Sequence, residues 1–91
     1  MAGNRPTINY HPQAREQLDR MDGVLRIFFK RHIEKVALLP PRRHLKFGLP
    51  WLVEAVTHQA RLVYRFRDNE CQILRCFAMH KEYERWYKSY R

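Results

Sequence analysis

Arg61, Arg65 and Arg67 fall at alternate positions in the stretch ARLVYRFR. In a strand, side chains two apart share a face, so a regular strand would present all three together, with Val63 among them. Three unpaired positive charges are too costly to bury, so this face meets either water or an anion. The rigid guanidinium fork suits a phosphate better than generic solubility requires. His80 lies just past the next strand-like run, and Tyr83 follows one helical turn later. His80 can be a helix cap. It can also move a proton near neutral pH, which imidazole does more readily than other side chains.

Cleavage of an RNA phosphodiester without metal needs three services. A group must deprotonate the 2′-hydroxyl, a second must neutralise the pentavalent phosphate, and a third must protonate the 5′-oxygen. Arginines with a histidine or tyrosine can supply them, with positioning and charge stabilisation providing much of the rate. Glu54 can be the base if it faces Arg61, although a surface carboxylate partnering an arginine is the preferred reading. Arg42, Arg43, His44 and Lys46 form a second basic cluster, and Lys81 and Arg85 add charge after the last strand. Such charges are usually a solvated face. Beside the arginine strand they can continue a nucleic-acid groove.

The composition agrees with an anionic partner. Eighteen Lys plus Arg against nine Asp plus Glu leave a net charge of +9 over 91 residues. An apolar fraction of 45% suits a globular chain with a modest core. No apolar run approaches the roughly 20 residues of a membrane span, and MAGNRPTINY has no secretory apolar core. A cytoplasmic protein with no membrane partner is therefore expected. Cys71 and Cys76 are the only cysteines. Their spacing in a strand places them on opposite sheet faces, as small core residues without a mutual disulfide. The histidines at 11, 32, 44, 58 and 80 are not spaced as structural zinc ligands. No metal and no cofactor are expected.

The elements that must position these groups follow from periodicity. Thr7 to Tyr10 reads as a short strand. Pro12 opens a helix carrying Ala14, Leu18 and Met21. Asp22 is the expected N-cap of a longer second helix, joined tightly to the first near Asp22–Gly23. Leu25, Phe29, Ile33 and Val36 form its apolar stripe, with Phe28 and Ala37 beside it. Arg26, Lys30, Arg31 and Lys35 lie around the other side, and Pro40 and Pro41 stop the helix. RRHLKFGLP is a basic connector with a short strand at Leu45 to Leu49. WLVEAV is the next strand, and THQ turns the chain into ARLVYRFR. Asp68 and Asn69 close a hairpin onto ECQILRCFA, and KEYERWYKSY ends the chain as a helix. The order β-α-α-β-β-β-α makes an α+β domain: a small, mostly antiparallel sheet with helices on one side. The face taken by Arg75 depends on register. At least two of the rings of Tyr83, Trp86 and Tyr87 pack on the sheet, and Tyr90 frays.

The stretch ARLVYRFRDNECQILRCFAMHKEYERWY resembles the RelE/ParE superfamily of toxins from toxin–antitoxin pairs. In that superfamily a strand of the form "yRlvYrv" leads through a short acidic turn to a hydrophobic strand. Here these are Arg61 to Phe66, Asp68, and Ile73 to Phe77. His80-Lys81-Glu82-Tyr83 is similar to the "HaEYD" ending of the HigB branch. The resemblance is specific from about Ala60 to Trp86, while the order of elements extends it over most of the chain. It implies a single RelE/ParE-like toxin domain over 1–91. It also implies an endoribonuclease that cleaves mRNA in the ribosomal A site without metal, so that the message, the ribosome and a cognate antitoxin protein are its partners. By position, Arg61 would grip the scissile phosphate, His80 would stand near the reacting phosphate, and Tyr83 would hold or stack substrate. Lys81 and Arg65 would be neighbours of that site. The Lys-x-Lys pair of RelE falls on Leu52 and Glu54, a departure. A ParE-like inhibitor of DNA gyrase and a catalytically silent RNA- or antitoxin-binding relative are the alternatives.

Overall fold

The computed structural model describes residues 6–38 and 51–90. The basic connector, with Arg42, Arg43, His44, Lys46 and the expected strand at Leu45 to Leu49, lies outside the described residues. Strand β1 (Thr7–Tyr10) leads into helix α1 (Pro12–Arg20) and helix α2 (Gly23–Leu38). Strands β2 (Leu52–Ala55), β3 (Arg61–Arg67) and β4 (Glu70–Phe77) precede helix α3 (His80–Lys88). The sheet order is β1-β4-β3-β2; β1 runs parallel to β4, and the other pairings are antiparallel.

Pro12 stands at the start of α1, where its missing N–H costs nothing. The cap is His11, whose Nδ1 accepts from Gln13 N–H at 3.1 Å. Asp22 caps α2 as expected, its carboxylate accepting from Val24 N–H at 2.9 Å. Arg26, expected on the outer side of α2, turns back instead. Its guanidinium donates to the carbonyls of Leu18, Asp19 and Met21 at 2.9, 3.2 and 2.8 Å. It thereby satisfies the end of α1, where backbone acceptors run out of helical partners, and fixes the tight joint between the two helices.

Ala14, Leu18 and Met21 of the α1 segment and Phe29, Ile33, Val36 and Ala37 of α2 bury against Leu52, Leu62, Tyr64, Cys71, Ile73 and Cys76. Burying a side chain such as Phe29 in full stabilises the fold by roughly 1.5–3 kcal/mol. Phe28, expected beside the stripe, stays outside the buried core and is 40% exposed.

Helices do not lie on one side only. Trp51, Val63 and Phe77 form a second apolar patch on the opposite face, which α3 covers with Tyr83 and Tyr87, while Trp86 packs at its margin. Tyr83 and Tyr87 at i, i+4 give α3 a sheet-facing stripe. Tyr90 does not simply fray: its ring meets Trp51 and Trp86 edge-on at 5.2 Å.

The cysteine expectation also needs correction. Val63 pairs with Arg75 but Tyr64 with Ile73, so Leu74 is an extra residue in β4. This bulge shifts the alternation by one. Cys71 and Cys76 therefore enter the same core, under α1 and α2. Both thiols are free, and burial pushes them up to about 11 and about 12. The bulge also settles Arg75, whose guanidinium lies 5.5 Å from the centre of the Trp86 ring on the α3 side. Beyond it, Asp68 turns the β3–β4 hairpin with φ 57°, a left-handed conformation that Asp tolerates better than most residues.

Candidate active site

Arg61 opens β3, and the turn before it is built around Thr57. The Thr57 hydroxyl accepts from Gln59 N–H at 3.2 Å and Ala60 N–H at 3.0 Å. Arg61 Nη1 donates to the carbonyls of Thr57 and His58 at 3.1 Å and of Ala60 at 2.9 Å. One corner of the guanidinium is thus anchored to the turn. Nε and Nη2 take no partner among the described residues and keep donors for a ligand.

The same turn holds the start of α3. Gln59 Oε1 accepts from His80 N–H at 3.3 Å. Met79 occupies the N-cap without a side-chain hydrogen bond. A helix start carries partial positive charge and exposed N–H groups, so it favours an anion. Between turn and helix lies an open cleft of about 480 Å³, lined by His58, Gln59, Arg61, Met79, His80 and Lys81. Its cationic groups therefore converge from two elements that are far apart in sequence.

His80 is held on two sides. Its Nδ1 stands 3.6 Å from Glu84 Oε1, one helical turn on. Its ring meets that of Tyr83 at 5.8 Å between centroids. This leaves Nε2 as the nitrogen available for proton exchange.

Tyr83 is not placed to stack on a substrate base. It is only 2% exposed, packed on Phe77 and Tyr87. Burial, then the neighbouring Tyr87, raise its pKa, while Arg61 pulls it down. Its hydroxyl is buried with no hydrogen-bond partner in the described protein. Tyr83 is the floor under His80 and near Arg61.

Glu54 does not face Arg61. It pairs across the sheet with Leu62, on the α1/α2 face, and is held there by Lys35 at 3.6 Å and His32 at 3.8 Å. Its partners are thus a lysine and a histidine, not an arginine. Leu52 belongs to the core on that same face. The absence of lysines at 52 and 54 consequently says nothing about the cleft, because both positions look away from it.

Arg65 and Arg67 share the Arg61 face, but at the hairpin end of β3. Arg67 is six residues from Arg61, roughly 20 Å along the strand. Arg65 donates to Gln72, Gln72 to Glu70, and Glu70 accepts from Asn9. Lys81 lines the cleft. Arg85 borders a neighbouring one of about 470 Å³, with Arg20, Glu82 and Trp86. Thus Arg61, His80 and Lys81 come together, Tyr83 lies beneath them, and Glu54, Arg65, Arg67 and Arg85 stand apart. His58 and Gln59, expected only as part of a turn, complete the lining of the Arg61 cleft. A histidine three residues before Arg61, across a turn, was the available signal.

No protein-family model and no curated protein matches the sequence. Solved structures do. The YoeB dimer of Staphylococcus aureus is 24% identical with a TM-score of 0.65. The YoeB–YefM complex of that organism is 22% identical with a TM-score of 0.63, and a heterotetrameric YoeB–YefM toxin–antitoxin complex 23% with 0.63. Each match covers 80% of this chain and 95% of the other.

The chain has the YoeB fold.

The RelE-like architecture expected from Arg61 to Tyr83 is therefore present, with the order β-α-α-β-β-β-α. In this YoeB fold the cleft at the start of α3 is where Arg61 and His80 meet.

Proposed function

We propose that this chain is a toxin-type endoribonuclease that cuts mRNA in the ribosomal A site with its own side chains and without metal. The observation that carries this reading is the convergence of Arg61, His80 and Lys81 on one open cleft at the positive end of α3. A phosphodiester entering that cleft meets the Arg61 fork, the Lys81 ammonium and the start of the helix. All three favour charge building on the phosphate oxygens as the 2′-oxygen attacks, and such electrostatic stabilisation is commonly the largest catalytic contribution. Nε2 of His80 exchanges a proton with an RNA oxygen, while Glu84 and Tyr83 hold the ring. Tyr83 is a positioning residue here, acting through His80.

The basic residues Arg65, Arg67 and Arg85 lie outside the cleft and take flanking phosphates; Arg42, Arg43 and Lys46 are proposed to contact RNA as well. The solved neighbours with an antitoxin support a cognate antitoxin partner of the YefM kind. Among the described residues no helix is long and apolar enough to cross a membrane. A cytoplasmic site of action is part of the proposal.

The test is a translating system with a defined message and chelator, cut sites being mapped by primer extension. Wild type should cut at A-site codons, whereas Arg61→Ala and His80→Ala should lose cutting while remaining folded. Absence of cutting by folded wild type free of antitoxin would reject the nuclease. Loss of gyrase supercoiling activity would then favour the gyrase inhibitor, and unchanged supercoiling the silent relative.

A further inference from the structure

We infer that His58 is the second proton-transfer group of this cleft, the base that takes the 2′-hydroxyl proton, while His80 is the acid that protonates the leaving 5′-oxygen. This inference rests on the nuclease reading and deepens it. Transesterification of RNA moves two protons. One leaves the 2′-oxygen as it bonds to phosphorus, and one joins the 5′-oxygen as its bond to phosphorus breaks. The products are a 2′,3′-cyclic phosphate and a 5′-hydroxyl, with no net change in protons. His80 supplies one group, so the cleft must supply another.

Among the described residues the candidates are few. Glu54 is on the other sheet face, tied to α2. The Tyr83 hydroxyl is buried beneath the site. Among the side chains lining the cleft, Gln59 and Met79 carry no exchangeable proton of suitable acidity. Arg61 and Lys81 are cations by type at neutral pH. The remaining side chain is His58, and imidazole suits the task near neutrality.

Its placement is defined rather than loose. The His58 carbonyl is held by Arg61, and the next residue, Gln59, holds the His80 amide. The two histidines thus belong to the two walls that the hydrogen bonds join. A carboxylate, Glu84, stands at Nδ1 of His80, and among the described residues none lines the cleft beside His58. The geometry therefore gives the acid role to His80 and the base role to His58.

The test uses full-length protein in the translating system, with His58→Ala and His58→Gln beside His80→Ala. His58 is exposed, so its replacement leaves the core intact. Cutting should fall by about 10²–10⁴-fold in each histidine-to-alanine variant, the usual span for general acid–base catalysis. A message with sulfur in place of the scissile 5′-oxygen has a leaving group that needs no acid. It should restore cutting to His80→Ala and not to His58→Ala.

The pH profile gives a second readout. Among the described residues, the charged groups that line the cleft or pair with an imidazole are Arg61 from β3 and Lys81 and Glu84 from α3. Wild type should show two limbs; His58→Ala should lose the rising one and His80→Ala the falling one. Wild-type-like cutting by His58→Ala would overturn the inference and leave the nuclease standing, as would restoration of His58→Ala by the sulfur substrate. A wild type that never cuts removes both.

Discussion

Tyr83→Phe deletes one oxygen and keeps the ring. The ring is 2% exposed and packs on Phe77 at 6.0 Å, Tyr87 at 4.8 Å and His80 at 5.8 Å between centroids, all of which a phenylalanine preserves. The hydroxyl is buried and finds no partner among the described residues. An unpaired buried polar group costs about 1–3 kcal/mol, so deleting it should return part of that, about 1 kcal/mol. For a domain of this size this raises Tm by roughly 4–8 °C. Urea and thermal unfolding, followed by circular dichroism, measure both quantities. Cutting should persist, because Tyr83 supports His80 through the ring. A comparable fall in Tm would refute the reasoning, since it would mean that the hydroxyl is hydrogen-bonded in the folded protein. Equal stability with lost cutting would instead return the hydroxyl to the reaction.

Arg26→Met keeps the length of the side chain but loses the bonds to Leu18, Asp19 and Met21 carbonyls; unfolding in urea should show about 1–2 kcal/mol of destabilisation. Glu54→Gln should leave cutting intact and lower stability by less than about 1 kcal/mol, because its partners are partly exposed; abolished cutting in that variant would place Glu54 in the site after all. Under reductant, stability should decline as pH rises from about 9 towards about 12. The unfolded chain releases its thiol protons first, while burial holds those of Cys71 to about 11 and Cys76 to about 12. Cys76→Ala should flatten that decline in a series of urea titrations, and an unchanged slope would show that the thiol is not its source.

How far the sequence discloses this molecule depends on which interactions are periodic. Alternation in β3 is a local property, and Leu62, Tyr64 and Phe66 do turn to one face with Val63 on the other. The apolar stripe of α2 and the Asp68–Asn69 turn are equally local. The bulge at Leu74 is different. One additional residue in β4 leaves no mark in composition, yet it places both cysteines in one core and sets Arg75 on Trp86. The side of the sheet that α3 covers is likewise decided by the path of the chain; the rings of Tyr83 and Tyr87 announce only that something is covered.

The site divides in the same way. Arg61 and His80, which share the cleft, stand out in the sequence as candidates because a strand pattern and a family-like ending bracket them. Tyr83 was legible as important but not as buried, since an aromatic ring with a polar tip fits a core or a binding face. The face of Glu54 stays open in the sequence because face assignment in β2 needs its pairing with Leu62, which no single strand encodes. His58 carried no pattern of its own. It matters only because Gln59 reaches the amide of His80, a contact between residues 21 apart. That contact joins the turn before β3 to the start of α3, the two walls of the cleft. It follows that the lysine positions of RelE are a poor guide to activity here. In this chain positions 52 and 54 face α2, and the two histidines proposed to transfer protons stand instead on the turn and at the helix start.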